Sequence, residues 1–184
     1  MKSLGKLNDF KIIAIDPSTK SLAYAIMNTD EDILEVGKID LSLASDIHDK
    51  LFIISQSLPP LLEKYEPKVA VVEEAVFIQN FRTSKVIAYV IGHTIGVLAE
   101  YCKFVSEANP LTWKSALGYK RVTKKDVATW ERTLGGVEGR KRAAFERKNR
   151  IRLILNDEVD IDLSGYDSDE IDALAIGIWY NRSK

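Results

Sequence analysis

Acidic residues follow or interrupt apolar segments at three widely separated places in the chain. They are Asp16, the pair Glu73 and Glu74, and the pair Asp169 and Asp172. An ionised carboxylate beside a hydrophobic core is costly unless it is paired, hydrogen-bonded or bound to a cation. Carboxylates that meet at one point would suit Mg²⁺ or Mn²⁺, which prefer oxygen ligands, and would not suit zinc. The pattern therefore favours divalent-metal chemistry at a site assembled from distant segments.

Each of these acids also has an ordinary structural explanation. Asp16 precedes a proline and could begin a turn, and the paired glutamates could solvate the end of a strand. Acids at positions 167, 169 and 170 are of the type that a helix amino terminus prefers. Asp172 differs, because it lies beyond the first helical turn and leads directly into the apolar run Ala-Leu-Ala-Ile. The functional interpretation therefore depends most strongly on Asp172.

The flanking sequence predicts how these segments come together. Three antiparallel strands are predicted at 11–16, 21–27 and 33–41, followed by a buried strand at 69–72, a helix at 82–101 and a strand at 104–108. If the first and fourth strands are neighbours, Asp16 and Glu73 lie side by side at their ends. A last helix at 167–181, with a capping box of Asp167 and Glu170, would present Asp169 and Asp172 on one face.

Two further helical regions contain sequence features that affect their length. Residues 42–65 have helical spacing, but Pro59 and Pro60 predict a break near Ser57. Residues 111–150 form a basic helical segment with a capped start at Thr123. Within it, residues 135–139 are glycine-rich and predict a flexible joint before a basic helix at 140–155.

Composition and charge indicate one folded domain with a strongly basic region. The 184 residues are 46% hydrophobic and 29% charged, which excludes wholesale disorder, and no apolar run is long enough for a membrane span. We therefore expect a single domain over residues 1–184, in the cytoplasm and away from membranes.

The net charge of −1 conceals twelve Lys or Arg against four Asp or Glu within residues 111–150. This region could bind a polyanion, although a solvated basic helix is the alternative.

Three segments together resemble the RuvC-type Holliday junction resolvases of the ribonuclease H-like superfamily. They are IAIDPS at 13–18 with AYAI at 23–26, VAVVEEAVF at 69–77, and DEIDALAI at 169–176. The resemblance spans about residues 11–180, and the last segment is its most specific part. Two departures are Ser18, where the family usually has glycine, and one additional residue between the paired glutamates and Phe77. Residues 128–150 are longer and more basic than in typical members, as in phage-encoded versions.

The resemblance implies an α/β, ribonuclease H-like fold with a central mixed five-stranded sheet, three strands antiparallel and then parallel strands, flanked by helices. It also implies an Mg²⁺-dependent endodeoxyribonuclease with two Mg²⁺ ions per active site, for which Mn²⁺ could substitute. Carried over by position, the catalytic and metal-binding residues are Asp16, Glu73, Asp169 and Asp172, with Glu74 as the alternative ligand and Lys124 as a further catalytic residue.

The expected partner is branched DNA, above all the four-way junction. The predicted DNA-binding residues are Lys114, Lys120, Arg121, Lys124, Lys125, Arg140, Lys141 and Arg142, with Phe77 and Phe81 stacking on bases at the junction centre. Symmetric cutting requires two active sites, so we expect a homodimer through the helix at about 82–101, where Gly92 and Gly96 lie four residues apart. A helix wholly buried within one subunit is the alternative.

Three other functions are consistent with parts of the sequence. An actin-like or sugar-kinase ATPase would need a second lobe and a second glycine-rich loop, for which the chain has no room. A non-catalytic junction-binding protein would need the basic segment but not carboxylates at three separate places. A broader nuclease that cuts three-way or fork DNA would use the same residues as a strict four-way junction enzyme.

Overall fold

A central mixed sheet carries the acidic residues and separates two helical layers. A computed structural model describes residues 10–75 and 80–184. The elements in chain order are β1 (Lys11–Pro17), β2 (Ser21–Asn28), β3 (Ile33–Asp40), α1 (Ile47–Tyr65), β4 (Val69–Glu73), α2 (Phe81–Tyr101), β5 (Phe104–Ala108), α3 (Pro110–Ala116), α4 (Lys124–Leu134), α5 (Gly136–Leu155) and α6 (Ser168–Arg182).

The sheet has the order β3-β2-β1-β4-β5, which confirms the predicted mixed topology. Strands β1, β2 and β3 pair antiparallel, and β4 pairs parallel with both β1 and β5. Because β1 and β4 are central, both of their faces are covered, and residues 12–15 and 69–72 are all buried. This explains why both strands are continuous apolar runs instead of alternating ones.

Each face of the sheet supports a separate hydrophobic core. Alternate residues of β1 divide between the two: Ala14 packs with α6 and the end of α5, whereas Ile13 and Ile15 pack with α1 and α2. Helix α6 approaches the sheet closely, since a Cβ at Gly177 would lie 2.4 Å from the methyl carbon of Met27 and 3.3 Å from the Ala14 Cβ. The sheet therefore holds α6, and the acids on it, in a fixed position against β1 and β2.

Helix α1 runs unbroken through its two prolines, so the prediction of a break near Ser57 is wrong. Each proline removes one amide from the helical hydrogen-bond ladder. Pro60 is exposed and Pro59 is only partly covered, so the carbonyls left without a helical partner lie on the outer side of α1. On its inner side, Ile54, Leu58 and Leu62 are buried against the sheet. Packing of this face outweighs the two lost bonds.

Helices α4 and α5 form a tight hairpin, so the predicted flexible joint at 135–139 is also wrong. Only Gly135, with φ of 88°, separates the two helices. A Cβ at Gly139 would lie 2.3 Å from the backbone nitrogen of Glu131, so the two backbones are in close contact there. The glycines therefore serve a sharp reversal and a close helix crossing, and the basic helix begins at Gly136 instead of residue 140.

A partly buried carboxylate on the edge strand β3 connects this strand to β2 and to the end of α1. Glu35 accepts hydrogen bonds from the hydroxyls of Tyr24 (2.7 Å) and Tyr65 (2.6 Å) and from Lys64 Nζ (2.8 Å). The Lys64 ammonium, followed by the two hydroxyls, lowers the pKa of Glu35 from its ordinary value near 4.5 to about 2. The charged form is therefore the one that the folded state favours.

Replacing Glu35 by Gln should lower the free energy of unfolding at pH 7 by about 1–2 kcal/mol, the usual worth of charge-assisted hydrogen bonds that are partly screened. Because the folded-state pKa lies below the unfolded-state value, this stabilisation is complete above about pH 4.5 and is lost as the pH falls towards 2. Urea unfolding at pH 7 and pH 3 checks this, with Glu107→Gln on exposed β5 as control. A difference between Glu35→Gln and wild type that is the same at both pH values would contradict it.

Candidate active site

Asp16 and Glu73 lie next to each other at the carboxyl ends of two central strands. In the parallel pair β1–β4, Ile15 lies opposite Val72, and Asp16 and Glu73 are the residues that follow. Burial is the main cause that raises the pKa of Asp16 well above its usual range, and repulsion by Glu73, Asp172 and Asp169 adds to it. Four carboxyl groups from three elements, β1, β4 and α6, therefore lie close enough to act on one another near the same end of the sheet.

Helix α6 contributes two of these acids, and neither is needed to cap it. Asp167 is the N-cap residue and accepts from the amides of Asp169 and Glu170, while the Glu170 side chain accepts from the Asp167 amide. The predicted capping box is therefore confirmed. The Asp169 side chain instead accepts from the Ser21 hydroxyl at 3.2 Å, and Asp172 faces the end of the sheet. Neither side chain is therefore committed to capping the helix.

The short helix α3 contacts this acidic cluster through two consecutive residues. Lys114 Nζ lies 2.9 Å from Asp172 Oδ2, and the indole nitrogen of Trp113 donates to Glu73 Oε1 at 2.9 Å. Burial raises the pKa of Asp172, although Lys114 opposes the shift. Burial alone would lower the pKa of Lys114, but Asp172, Glu73 and Asp16 outweigh it and raise the pKa. The sequence did not indicate these contacts, because α3 lies about forty or more residues from both acids along the chain.

Glu74 has a different environment from Glu73. Its amide donates to the Ala108 carbonyl at 3.0 Å, which extends the β4–β5 pairing. Its carboxylate accepts from Asn109 Nδ2 at 2.8 Å, beside the start of α3. The Glu73 carboxyl is the one that acts on Asp16 and Asp172. Glu73 is therefore the better candidate for a shared cation, and Glu74 borders the same edge.

The donor set fits a hard divalent cation. Lys114 pairs with Asp172, and the Lys38 ammonium also acts on Asp169, so four acidic groups outnumber the two ammonium groups near them in a partly buried position. Within residues 10–75 and 80–184, no three acidic, histidine or cysteine side chains are already placed as a set of metal ligands. Instead, Glu73, Asp169 and Asp172 accept from Trp113, Ser21 and Lys114 respectively. A bound cation would replace or share these donors, and would relieve the repulsion that raises the pKa of Asp16.

A family model described as "Crossover junction endodeoxyribonuclease RuvC" matches residues 12–144. The chain belongs to the RuvC family. RuvC of Dictyoglomus turgidum is 32% identical over 120 residues, which are 63% of this chain and 76% of that protein. RuvC of Rickettsia typhi is 28% identical over 120 residues, with the same two coverages.

Solved structures agree with the RuvC assignment at the level of fold. Thermus thermophilus RuvC in complex with a Holliday junction substrate has a TM-score of 0.64 and 17% identity, covering 94% of this chain and 96% of that one. The yeast mitochondrial Holliday junction resolvase Ydc2 has a TM-score of 0.56 and 16% identity, covering 95% of this chain and 79% of that one. The predicted fold class and the resemblance to RuvC are therefore confirmed.

The basic residues predicted to bind DNA fall into two groups. In the first group each has a carboxylate partner: Lys114 with Asp172, Arg140 with Glu131, Lys141 with Glu138, and Arg142 with Glu146. In the second group Lys120, Arg121, Lys124 and Lys125 are exposed and have no ion-pair partner in the described part of the chain. Exposed ion pairs are weak, so DNA phosphates could replace the partners of Arg140 and Lys141.

Glu146 is the buried member of this basic region. It is 6% exposed and accepts from Arg142 and, at 3.2 Å, from Arg150. Arg150 also donates to the carbonyl of Lys120, which fixes the loop before α4 against α5. Glu146 thus positions basic residues in addition to neutralising them, and its acidic side chain gave no sign of this role in the sequence.

Of the two aromatic residues predicted to stack on DNA bases, Phe81 lies within the described part of the chain and Phe77 lies outside it. Phe81 begins α2 and is 80% exposed. Its position follows the Asn80 N-cap, whose side chain accepts from the amides of Arg82 and Thr83.

Helix α2 is not wholly buried, so that alternative interpretation is wrong. Its inner face, which includes Ile87, Val90 and Leu98, packs in the core with α1. Its outer face includes exposed Tyr89, Gly92 and Gly96, and a Cβ at either glycine would meet no other atom within 4 Å.

None of the described helices is sufficiently long and apolar to cross a bilayer.

Proposed function

We propose that this protein is a structure-selective endodeoxyribonuclease that resolves four-way DNA junctions by symmetric, metal-dependent hydrolysis of phosphodiesters. The observation that carries the proposal is the position of four acids in a member of the RuvC family: Asp16 and Glu73 end neighbouring strands, and contacts to β2 and α3 bring Asp169 and Asp172 of α6 to the same end of the sheet. The bacterial sources of its relatives support a cytoplasmic location, in a bacterial cell or a phage-infected host.

The four carboxylates would hold two Mg²⁺ ions, with Mn²⁺ as a substitute. When bound, such ions supply an activated water and neutralise charge on the leaving 3′ oxygen. Asp16 and Glu73 approach from the sheet, and Asp169 and Asp172 from α6, so the ligands have two rigid supports. Lys114 balances part of the acidic charge through Asp172, and Lys124, exposed at the start of α4, would neutralise the scissile phosphate.

The basic surface would hold the arms of the junction. Lys120, Arg121, Lys124 and Lys125 are exposed on and before α4, and Arg140 and Lys141 on α5 would exchange their carboxylate partners for phosphates. Arg142 would contact phosphates while Glu146 holds it in place. Phe77 and Phe81 would stack on unpaired bases at the junction centre. Because the contacts are mainly with phosphates, binding should weaken steeply with added salt.

The experiment that tests the proposed function is cleavage of a synthetic four-way junction in Mg²⁺ and in EDTA, beside three-way, fork, nicked and linear DNA. We expect paired cuts in the four-way junction, with 5′-phosphate and 3′-hydroxyl ends, only when Mg²⁺ is present. Equal cutting of three-way or fork DNA would indicate the broader branched-DNA nuclease. Tight binding without any cutting in Mg²⁺ or Mn²⁺ would indicate a junction-binding protein and overturn the proposal.

A homodimer through the outer face of α2 would place two active sites on one junction. Replacing Gly92 by Arg should convert the dimer to a monomer while leaving the fold intact, because the position opens on solvent in the isolated subunit. Sedimentation velocity at micromolar concentration measures the change. Gly92→Ala is the matched control, and should remain dimeric. A wild-type protein that is already monomeric would contradict the dimer.

A further inference from the structure

Trp113 is the largest fully buried side chain among the described residues, and its indole nitrogen reaches the acidic cluster. It is 0% exposed and packs in the core formed by β4, α5 and α6. A buried indole N–H can only donate and needs an acceptor. Here the acceptor is Glu73 Oε1, at 2.9 Å. A side chain whose place is fixed by core packing is therefore bonded directly to a candidate metal ligand.

We propose that Trp113 is a positioning residue, which fixes the Glu73 carboxylate in the orientation that binds metal. The inference rests on the proposed role of Glu73 as a ligand. One indole N–H occupies one carboxylate oxygen, so the other oxygen remains for a cation shared with Asp16. Hydrogen bonds to ligating carboxylates restrict their rotation and support metal affinity.

Helix α3 is well suited to this task because it is fixed at its start and again in its middle. Asn109 caps its start, accepting from the amides of Leu111 and Thr112, and also donates to Glu74. One turn later, Trp113 donates to Glu73 and Lys114 pairs with Asp172. The helix thus connects the ligand from β4 with a ligand from α6. Loss of the indole N–H removes the connection to Glu73 and leaves the one to Asp172.

Mn²⁺ binding to the DNA-free protein, measured by calorimetry, tests this positioning role without any reliance on cleavage. Trp113→Phe keeps an aromatic ring and removes the N–H, and should raise the Kd for Mn²⁺ about 10- to 100-fold. Trp179→Phe is the matched control, since the Trp179 indole makes no hydrogen bond within the described residues, and should change the Kd less than about twofold. Unchanged Mn²⁺ affinity in Trp113→Phe would overturn the inference.

A double-variant cycle separates positioning from general loosening of the fold. If Trp113 acts through Glu73, adding Trp113→Phe to Glu73→Gln should cause no further loss of Mn²⁺ affinity. Independent, multiplicative losses would instead indicate a merely structural effect and contradict the proposal. If Glu73→Gln alone leaves the Mn²⁺ affinity unchanged, the ligand assignment under the proposed function fails, which is a distinct outcome.

A spectroscopic measurement keeps the inference testable if Trp113→Phe does not fold. In the variant Trp130→Phe/Trp179→Phe, Trp113 is the only tryptophan of the three in the chain. Mn²⁺ should quench its fluorescence saturably, with the same Kd that calorimetry gives for this variant. Binding of Mn²⁺ with no change in Trp113 emission would contradict a direct link between the indole and the metal site.

Discussion

Replacing Asp16 by Asn should reduce the rate of junction cleavage roughly 10³-fold or more while leaving junction binding intact. The amide keeps the shape of the carboxyl group but removes the negative charge that a shared cation needs. Asp16 is also the acid on which burial and the other carboxylates act most strongly. Single-turnover cleavage of a four-way junction in Mg²⁺ measures the rate, and a gel shift in EDTA measures binding.

The same substitution should not destabilise the protein. Burial and repulsion disfavour the charged form of Asp16 in the folded state, so a neutral side chain should leave the unfolding temperature equal or higher. Asp157→Asn, at an exposed position after α5, is the control and should cleave like wild type. Asp16→Asn protein that still cuts in Mg²⁺ would refute the assignment of Asp16 to the metal site.

Replacing Gly139 by Ala should separate α4 from α5. The added methyl group would lie 2.3 Å from the nitrogen and 2.5 Å from the Cα of Glu131, and backbone atoms cannot move aside as a side chain can. No residue of α4 is buried, so contact with α5 is what holds this helix. We expect α4 amides to lose most of their protection from hydrogen exchange, and junction affinity to fall about tenfold as Lys124 and Lys125 lose their fixed places.

A matched control lies in the same helix. At Gly136 the nearest atom to an added Cβ is a terminal nitrogen of Arg140, at 3.6 Å, which is ordinary contact. Gly136→Ala should therefore leave α4 protected and should stabilise α5 slightly. Hydrogen exchange followed by mass spectrometry compares the two variants directly. Equal protection of α4 in both would show that the hairpin does not depend on the close crossing at Gly139.

The sequence predicted the structure best where a local pattern of residues had one main structural interpretation. The run at 69–72 is apolar without alternation, and the structure explains it by a strand covered on both faces. Asp172 interrupts an apolar helix face, and the structure places it beside other acids. Both features are local, so their meaning could be predicted from the residues alone. The resemblance to RuvC added the order of the strands and the identity of the family.

The remaining features depend on contacts between distant residues. The prolines of α1 predicted a break, because the sequence does not show that a buried inner face would outweigh two lost hydrogen bonds. Arg140 appeared available for DNA, yet the hairpin brings it to 3.0 Å from Glu131, nine residues earlier. No pattern in the sequence indicated a role for Trp113, because its hydrogen bond to Glu73 joins residues forty positions apart in the chain.

The packing of α2 in the same core as β1 and β4 has a consequence for the DNA that the protein would select. Strand β4 ends at Glu73, and α2, the helix with the exposed glycine face, begins at Phe81. If two copies pair along α2, each active site would lie at a fixed distance from the twofold axis. The distance between the two active sites would then also be fixed. The enzyme would then select DNA by the separation of its two exchanging strands before any base is read.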